Sequence, residues 1–258
     1  MHRFYVEDIS ESNKSVTIRG KDVNHIINVL RLKNGDEIVV GDGSSRDYYC
    51  TISSIDKDEE EVIAEIVDIC DSNSELPADI YLFQGVPKGD KMELIIQKCI
   101  ELGVHEIIPV FMERSVVRLD DKKKGKKIDR YQGIAESASK QSRRGIIPKI
   151  NSYMDFNEAV KYASEISDYI LVPYESAEGM NFSRCVIENI KKNVLESKDS
   201  SDNKKISVFI GPEGGFAQSE IDKLEEMDAT ILSLGHRILR TETAGITILS
   251  ILSFMLDD

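Results

Sequence analysis

Hydrophobic and polar positions alternate in short runs over the first part of the chain. Ser15-Val16-Thr17-Ile18 reads as a strand closed by Gly20, and Glu37-Ile38-Val39-Val40 as a strand ending at the Gly41-Asp42-Gly43 turn. Tyr48 to Ile55 and Val62 to Ile69 keep a period of two, as half-buried strands do. Asp22 to Leu30 is the one helix between them, with Asp22 as its N-cap. Short strands around a single helix predict a small β-barrel over residues 1–72. Asp71 to Pro77 is polar and carries a proline, the composition of a linker.

Over residues 76–258 the rhythm changes to strands alternating with helices. Strands are expected at Asp79–Gln84, Glu106–Phe111, Tyr169–Tyr174, Ile206–Ile210 and Ala229–Leu234. Helices are expected at Lys88–Leu102, Arg130–Ser142, Ser219–Met227 and Thr241–Leu256. In the first of them Met92, Ile95, Ile96, Cys99 and Ile100 share one face. This order predicts an α/β domain with a mainly parallel sheet covered on both faces. Lys122 to Lys127 reads as a basic loop, either a solvated surface run or a phosphate-contacting arm. Lys191 to Lys205 reads as a polar, mobile connection.

Composition narrows the class. With 41% hydrophobic and 31% charged residues the mixture is that of a globular protein, and no apolar run approaches the ~20 residues a membrane helix needs. The N-terminal residues lack a secretory pattern, so the expected location is the cytoplasm, with no membrane partner. Cys50, Cys70, Cys99 and Cys185 are scattered without a CxxC pair, and no metal is expected. The net charge of −13 argues against a polyanionic partner, but its distribution is uneven. Between Gly85 and Ile150 there are fifteen Lys and Arg against nine Asp and Glu, a positive stretch in an acidic chain.

Two segments carry candidate chemistry. The strand Ile206–Ile210 runs into Gly211-Pro212-Glu213-Gly214-Gly215, where little side-chain bulk leaves the main chain open to a ligand. It is neither a dinucleotide fingerprint nor a P-loop. The bland alternative is a tight strand-to-helix turn with Ser219 capping the helix. The second segment, Leu234 to Gly245, is longer than a plain connection and places Arg237, Arg240 and Glu242 near the start of an apolar helix that Thr241 or Thr243 would cap. A structural salt bridge is the bland alternative for Arg240 and Glu242, and His236 reads as a packing or surface histidine.

Together these segments resemble the RsmE family, small-subunit rRNA uridine N3-methyltransferases of the SPOUT superfamily. The likeness rests on Gly211-Pro212-Glu213-Gly214-Gly215 and on Leu234-Gly235-x-Arg237-Ile238-Leu239-Arg240-x-Glu242-Thr243-Ala244. It continues in Gln84-Gly85-x-Pro87-Lys88-x-Asp90-Lys91-Met92-Glu93, Gln97-Lys98-x-x-Glu101-Leu102-Gly103, Glu113-Arg114-Ser115, Glu136, Gln141-Ser142, Arg144 and Pro148. His2-Arg3-Phe4-Tyr5, His25-x-x-x-Val29-Leu30-Arg31 and Gly41-Asp42-Gly43 resemble the family's PUA-like barrel. At Arg143 the chain departs from the commoner pattern, in which a small residue stands.

The resemblance implies a PUA-like RNA-binding domain at 1–72 and a SPOUT methyltransferase domain with a C-terminal trefoil knot at 76–258. It implies S-adenosyl-L-methionine as cofactor, held by Val172, Pro173, Gly211, Pro212, Glu213, Gly214, Gly215, Leu234, Gly235, Ile238, Leu239 and Ala244. It further implies a homodimer whose substrate is uridine 1498 of 16S rRNA in the small ribosomal subunit. Uridine N3 carries a proton, so a base or a site favouring the imidate anion is needed. Arg240 is the candidate for stabilising that anion, with Glu242 holding Arg240 or acting as base. Arg3, His25, Arg31, Arg46, Lys88, Lys91 and Arg144 are the candidate RNA contacts. The rivals are a related methyltransferase acting on tRNA or a ribose hydroxyl, and a non-catalytic ribosome-assembly factor.

Overall fold

The computed structural model describes residues 1–6, 9–10, 12–43, 46–117, 119–175, 179–197 and 202–257. They form two compact units, Met1–Glu75 with Ser139–Ile147, and Leu76–Ala138 with Pro148–Asp258.

The first unit contains β1 (His2–Tyr5), β2 (Ser15–Arg19), α1 (Lys21–Asn24), β3 (Glu37–Gly41), β4 (Arg46–Asp56) and β5 (Glu61–Asp71). The strands make one sheet in the order β1-β3-β4-β5-β2, with β1 parallel to β3 and the other pairs antiparallel. Their inward residues, Phe4, Ile18, Ile38, Tyr48, Ile52 and Val62, bury one core with Ile26. The sheet curls around that core as the expected barrel requires, with β1 and β2 at the two ends of its strand order. Register shifts at Tyr49/Cys50 and Ile52/Ser54 bend it around that core.

The expected helix at Asp22–Leu30 is one α turn that continues as a π-helical segment, His25–Leu30. Asp22 does not cap it. Gly20 stands at the N-cap, and Lys140 Nζ takes both oxygens of Asp22, at 2.8 and 2.9 Å. That pair shows why Ser139–Ile147 belongs to this unit. Glu75 adds to it by accepting from Arg144 Nε at 2.9 Å and from the Gly145 N–H at 2.6 Å.

The second unit begins with β6 (Ala78–Gly85), α2 (Lys91–Glu101), β7 (Glu106–Phe111) and α3 (Asp121–Ser142), whose end belongs to the first unit. Next come β8 (Lys149–Ile150), β9 (Met154–Asp155), α4 (Phe156–Ile166), β10 (Tyr169–Pro173) and α5 (Met180–Glu196). The last elements are β11 (Lys204–Ile210), α6 (Gln218–Glu225), β12 (Thr230–Leu232) and α7 (Thr241–Leu256). Strand order is β12-β10-β11-β6-β7-β8, with β9 also on β7, and every pairing is parallel. This is the α/β architecture that the alternating pattern predicts.

Residues along each strand serve opposite faces by turns. Ile80 and Leu82 of β6 join α2, α3, α5 and α7 in one core, while Tyr81 and Phe83 join α4 and α6 in another. On α7, Ile248, Leu249, Leu252 and Leu256 are buried, each contributing roughly 1.5–3 kcal/mol.

Two expectations change here. The basic loop at Lys122–Lys127 is the first part of α3. Most of the described part of the Lys191–Lys205 connection is regular: α5 runs to Glu196 and β11 starts at Lys204, and residues 198–201 lie outside the described residues.

Candidate active site

In a parallel sheet the loops at the C-terminal strand ends converge on one edge. Here β12, β10 and β11 are neighbours, and the segments leaving their C-terminal ends line a single cavity of about 770 Å³, within the range of a small-molecule site. β10 contributes Pro173, Tyr174 and Glu175. β11 and the loop after it contribute Ile210 to Phe216, and β12 and the segment after it contribute Ser233 to Thr241. Ala244 of α7, Gly179 and Met180 at the start of α5, Lys91 and Arg114 complete the lining.

Glycine is required here at two positions. A Cβ on Gly85 would stand 2.6 Å from the Pro212 nitrogen, so only glycine lets the end of β6 meet the β11 loop. Gly235 has φ +120°, a backbone that L side chains rarely adopt, and it turns the chain from β12 along the cavity.

The loop after β11 is fastened at several points. Thr241 Oγ1 donates to the Gly211 carbonyl at 2.7 Å and accepts from Gln84 Nε2 at 2.9 Å. Arg114 donates to the Gly214 carbonyl at 3.1 Å. Glu220, buried, accepts from the Ala217 and Glu113 N–H groups, both at 2.8 Å. Glu220 thus does the capping expected of Ser219, whose hydroxyl instead donates to Glu113 at 3.3 Å. Neither Thr241 nor Thr243 caps α7; Arg240 stands at its N-cap without a side-chain bond.

Charges at the rim are mixed. Lys91 Nζ lies 3.0 Å from Glu213 Oε1 and 3.3 Å from Glu242 Oε2. The hydrogen bond to Glu213, reinforced by the Glu242 carboxylate, raises the Lys91 pKa. Burial pushes the Glu213 carboxyl up, but the Lys88 N–H and the Lys91 ammonium outweigh it and leave the pKa lowered. Arg240 is exposed and has no ion-pair partner among the described residues.

Of the twelve residues assigned to the cofactor, eleven line the cavity. Val172 does not: it pairs with Ile231 across the sheet and is fully buried in the core shared with α4 and α6. Glu242 neither lines the cavity nor holds Arg240, because its carboxylate faces Lys91. Arg114, Tyr174, Glu175, Met180 and Thr241 line the cavity without being expected from the sequence as cofactor residues. Glu113-Arg114-Ser115 is a sequence signal for the first; Met180 has none.

The candidate RNA contacts divide sharply. Arg3 is paired with Asp47, its side chain only 6% exposed, and Arg144 is 3% exposed against Glu75, so neither presents its charge to a partner. A buried guanidinium with its carboxylate is a structural device. Burial pushes the Glu75 carboxyl up, but the Arg144 guanidinium and the Gly145 and Ile146 N–H groups more than offset this and hold it below the usual carboxylate range. Arg46 is half-buried and lies 3.9 Å from Asp71. His25, Arg31 and Lys88 are exposed, the first two in and just after the π-helical segment. Lys91 is tied to its two carboxylates.

A family model described as RNA methyltransferase domain matches residues 74–253, nearly the whole second unit. The chain belongs to this RNA methyltransferase family. A second model, RNA methyltransferase PUA domain, matches residues 18–68. The Ribosomal RNA small subunit methyltransferase E of Bacillus subtilis is 34% identical over 98% of this chain and 96% of its own length. That of Aquifex aeolicus is 32% identical over 98% and 99%. Among solved structures, the enzyme of that name from Neisseria gonorrhoeae, bound to S-adenosyl methionine, superposes with a TM-score of 0.81 at 27% identity, covering 98% of this chain and 97% of that one. A putative methyltransferase from Legionella pneumophila, also with bound cofactor SAM, gives 0.77 at 30% identity, covering 97% and 96%. Every residue that lines the cavity falls within the matched RNA methyltransferase domain.

Proposed function

We propose that this RNA methyltransferase transfers the methyl group of S-adenosyl-L-methionine to N3 of uridine 1498 in 16S rRNA of the small ribosomal subunit. One observation carries the reading. The cavity is built from main chain at three parallel strand ends, and an uncommitted arginine, Arg240, stands at its rim.

The lining suits the cofactor. Leu234, Ile238, Leu239 and Met180 offer apolar surface, the Gly211–Gly215 backbone offers polar groups, and Glu175 and Glu213 oppose positive charge. When bound, S-adenosylmethionine supplies a methyl carried on a cationic sulfonium, which leaves as a neutral thioether. The protein's share is alignment and exclusion of water. The N3–H proton leaves to water, the resulting negative charge spreads to uracil O2 and O4, and it is taken up again as N3 accepts the methyl group. Arg240 stabilises that charge.

His25, Arg31 and Lys88, exposed and basic, support RNA docking in this reading. Ile238 and Phe254, each 83% exposed, support a homodimer that covers apolar surface. A trefoil knot through which α7 passes, and a cytoplasmic setting, belong to the same reading. Among the described residues no helix is long and apolar enough to cross a membrane, and no group of three His, Cys, Asp or Glu residues is placed to hold a metal.

The test is methyl transfer from radiolabelled S-adenosylmethionine into small subunits lacking the modification, followed by nucleoside analysis. Label in N3-methyluridine at the stated position is expected. Label in another nucleoside overturns the target, and no label overturns the proposed reaction.

A further inference from the structure

Two bridges of the same design meet at the start of α7, and each joins the same three segments. In the first, Gln84 at the end of β6 donates to Thr241, and Thr241 donates to the Gly211 carbonyl. In the second, Lys91 at the start of α2 reaches both Glu242 and Glu213. Each bridge therefore takes one residue from the β6–α2 segment, one from the first turn of α7 and one from the glycine loop. Thr241 and Glu242 are consecutive, and Arg240 immediately precedes them as the N-cap residue, its carbonyl accepting from the Ala244 N–H at 2.8 Å.

Both bridges sit where losing a partner is costly. Gln84 is fully buried, and Thr241 is buried beside it. The Glu242 side chain is 15% exposed, and its buried Oε2 has the Lys91 ammonium opposite it without an aligned hydrogen bond. Taking away Lys91 leaves that carboxylate uncompensated. A lysine meant for an RNA phosphate would keep its ammonium in solvent, as exposed Lys88 does; Lys91 instead spends its charge on two carboxylates of its own chain.

We propose that Lys91 is a positioning residue and not an RNA contact: with Gln84 it fastens the first turn of α7 to the glycine loop, and so fixes both the cofactor cradle and the place of Arg240. The proposal rests on the role given to Arg240 in the methyl transfer. It makes Glu242 part of the fastening. No proton transfer is required of it.

The experiment compares Lys91→Met, Lys91→Arg and the uncharged trio Lys91→Gln/Glu213→Gln/Glu242→Gln in the full-length protein. Three readouts are taken: calorimetric affinity for S-adenosylmethionine, kcat, and KM for unmodified small subunits. Lys91→Met is expected to lose about tenfold or more in both cofactor affinity and kcat, with KM for the subunit within about twofold. Lys91→Arg keeps a cation between the carboxylates and is expected within about threefold of wild type in all three readouts. Should Lys91→Met lack a cooperative thermal transition, the trio carries the test, because it leaves no buried charge. It lacks both the Lys91 fastening and the Glu213 charge at the cavity, so its cofactor affinity is expected to fall about tenfold or more while its subunit KM stays within about twofold. A raised subunit KM with unchanged cofactor affinity, in Lys91→Met or in the trio, would overturn the proposal and make Lys91 an RNA contact. Wild-type protein that binds cofactor but leaves the subunits unmethylated would instead sink the target reading. The cofactor affinities would still decide the role of Lys91.

Discussion

Arginine does opposite work in two regions of this molecule. In the N-terminal unit Arg144 is buried and saturated: its guanidinium fills the Glu75 carboxylate, which also takes the Gly145 and Ile146 N–H groups. In the C-terminal unit Arg240 is exposed at a cavity rim with no ion partner among the described residues. Both arginines sit in the segments that resemble the family, and nothing in their immediate neighbours separates them. The difference lies in committed hydrogen bonds. A saturated, buried cation organises its own chain, whereas an unsaturated one keeps its charge for a visitor.

The comparison breaks most readily at the buried pair. Arg144→Ala leaves Glu75 with a charge it has no cation to balance, and a loss of about 3–5 kcal/mol is expected in urea denaturation of the N-terminal unit. Cofactor binding by the C-terminal unit, measured by calorimetry below the transition, should stay at the wild-type value. A loss under about 1 kcal/mol would make Arg144 a surface charge after all.

At the rim the effects should reverse. Arg240→Ala is expected to lower kcat by about 10²–10³, as loss of a donor to a developing anion does. Its stability should change by no more than about 0.5 kcal/mol. Normal turnover with cofactor bound would remove Arg240 from the mechanism.

Acid sharpens the contrast. The Glu75 pKa is lower in the folded state than in the unfolded chain, so its contribution is fully present above the unfolded value, about 4.3. That contribution fades as pH falls through the folded pKa. Wild type should therefore lose stability on acidification below pH ~4 more steeply than Glu75→Gln, followed by thermal melting across that range. Parallel curves would refute the assignment. The smallest effect is expected at Arg31, exposed in the left-handed region (φ 56°) after the π-helical segment. Arg31→Ala should weaken RNA binding modestly and lower the slope of log affinity against log salt by about one, with folding unchanged.

Much of this architecture is legible where packing writes a period into the chain. Thr241–Leu256 begins and ends where its apolar pattern does, and the period-two runs form β4 and β5. Lys122–Lys127 does not read as helix because an all-polar turn carries no periodicity; α3 holds it through its continuation to Tyr131 and Ala135, which are buried. α4 is absent from the expected helices although Asp155-Phe156-Asn157-Glu158 spells a capping box, with both bonds at 2.9 Å. The glycine loop stands out in the sequence because its chemistry belongs to the main chain. Side-chain commitments do not, since Arg144 finds Glu75 and Lys91 finds Glu242 only after the chain has folded across long separations.

The fastening of α7 also has a consequence in time. Until that helix docks, Gln84 and the Gly211 carbonyl lack Thr241, and Ile248, Leu249, Leu252 and Leu256 remain in water. Segments that emerge earlier in synthesis therefore wait for a later one. Cofactor capture should switch on in a refolding experiment together with burial of α7, so ligand binding can serve as a clock for the docking of that helix.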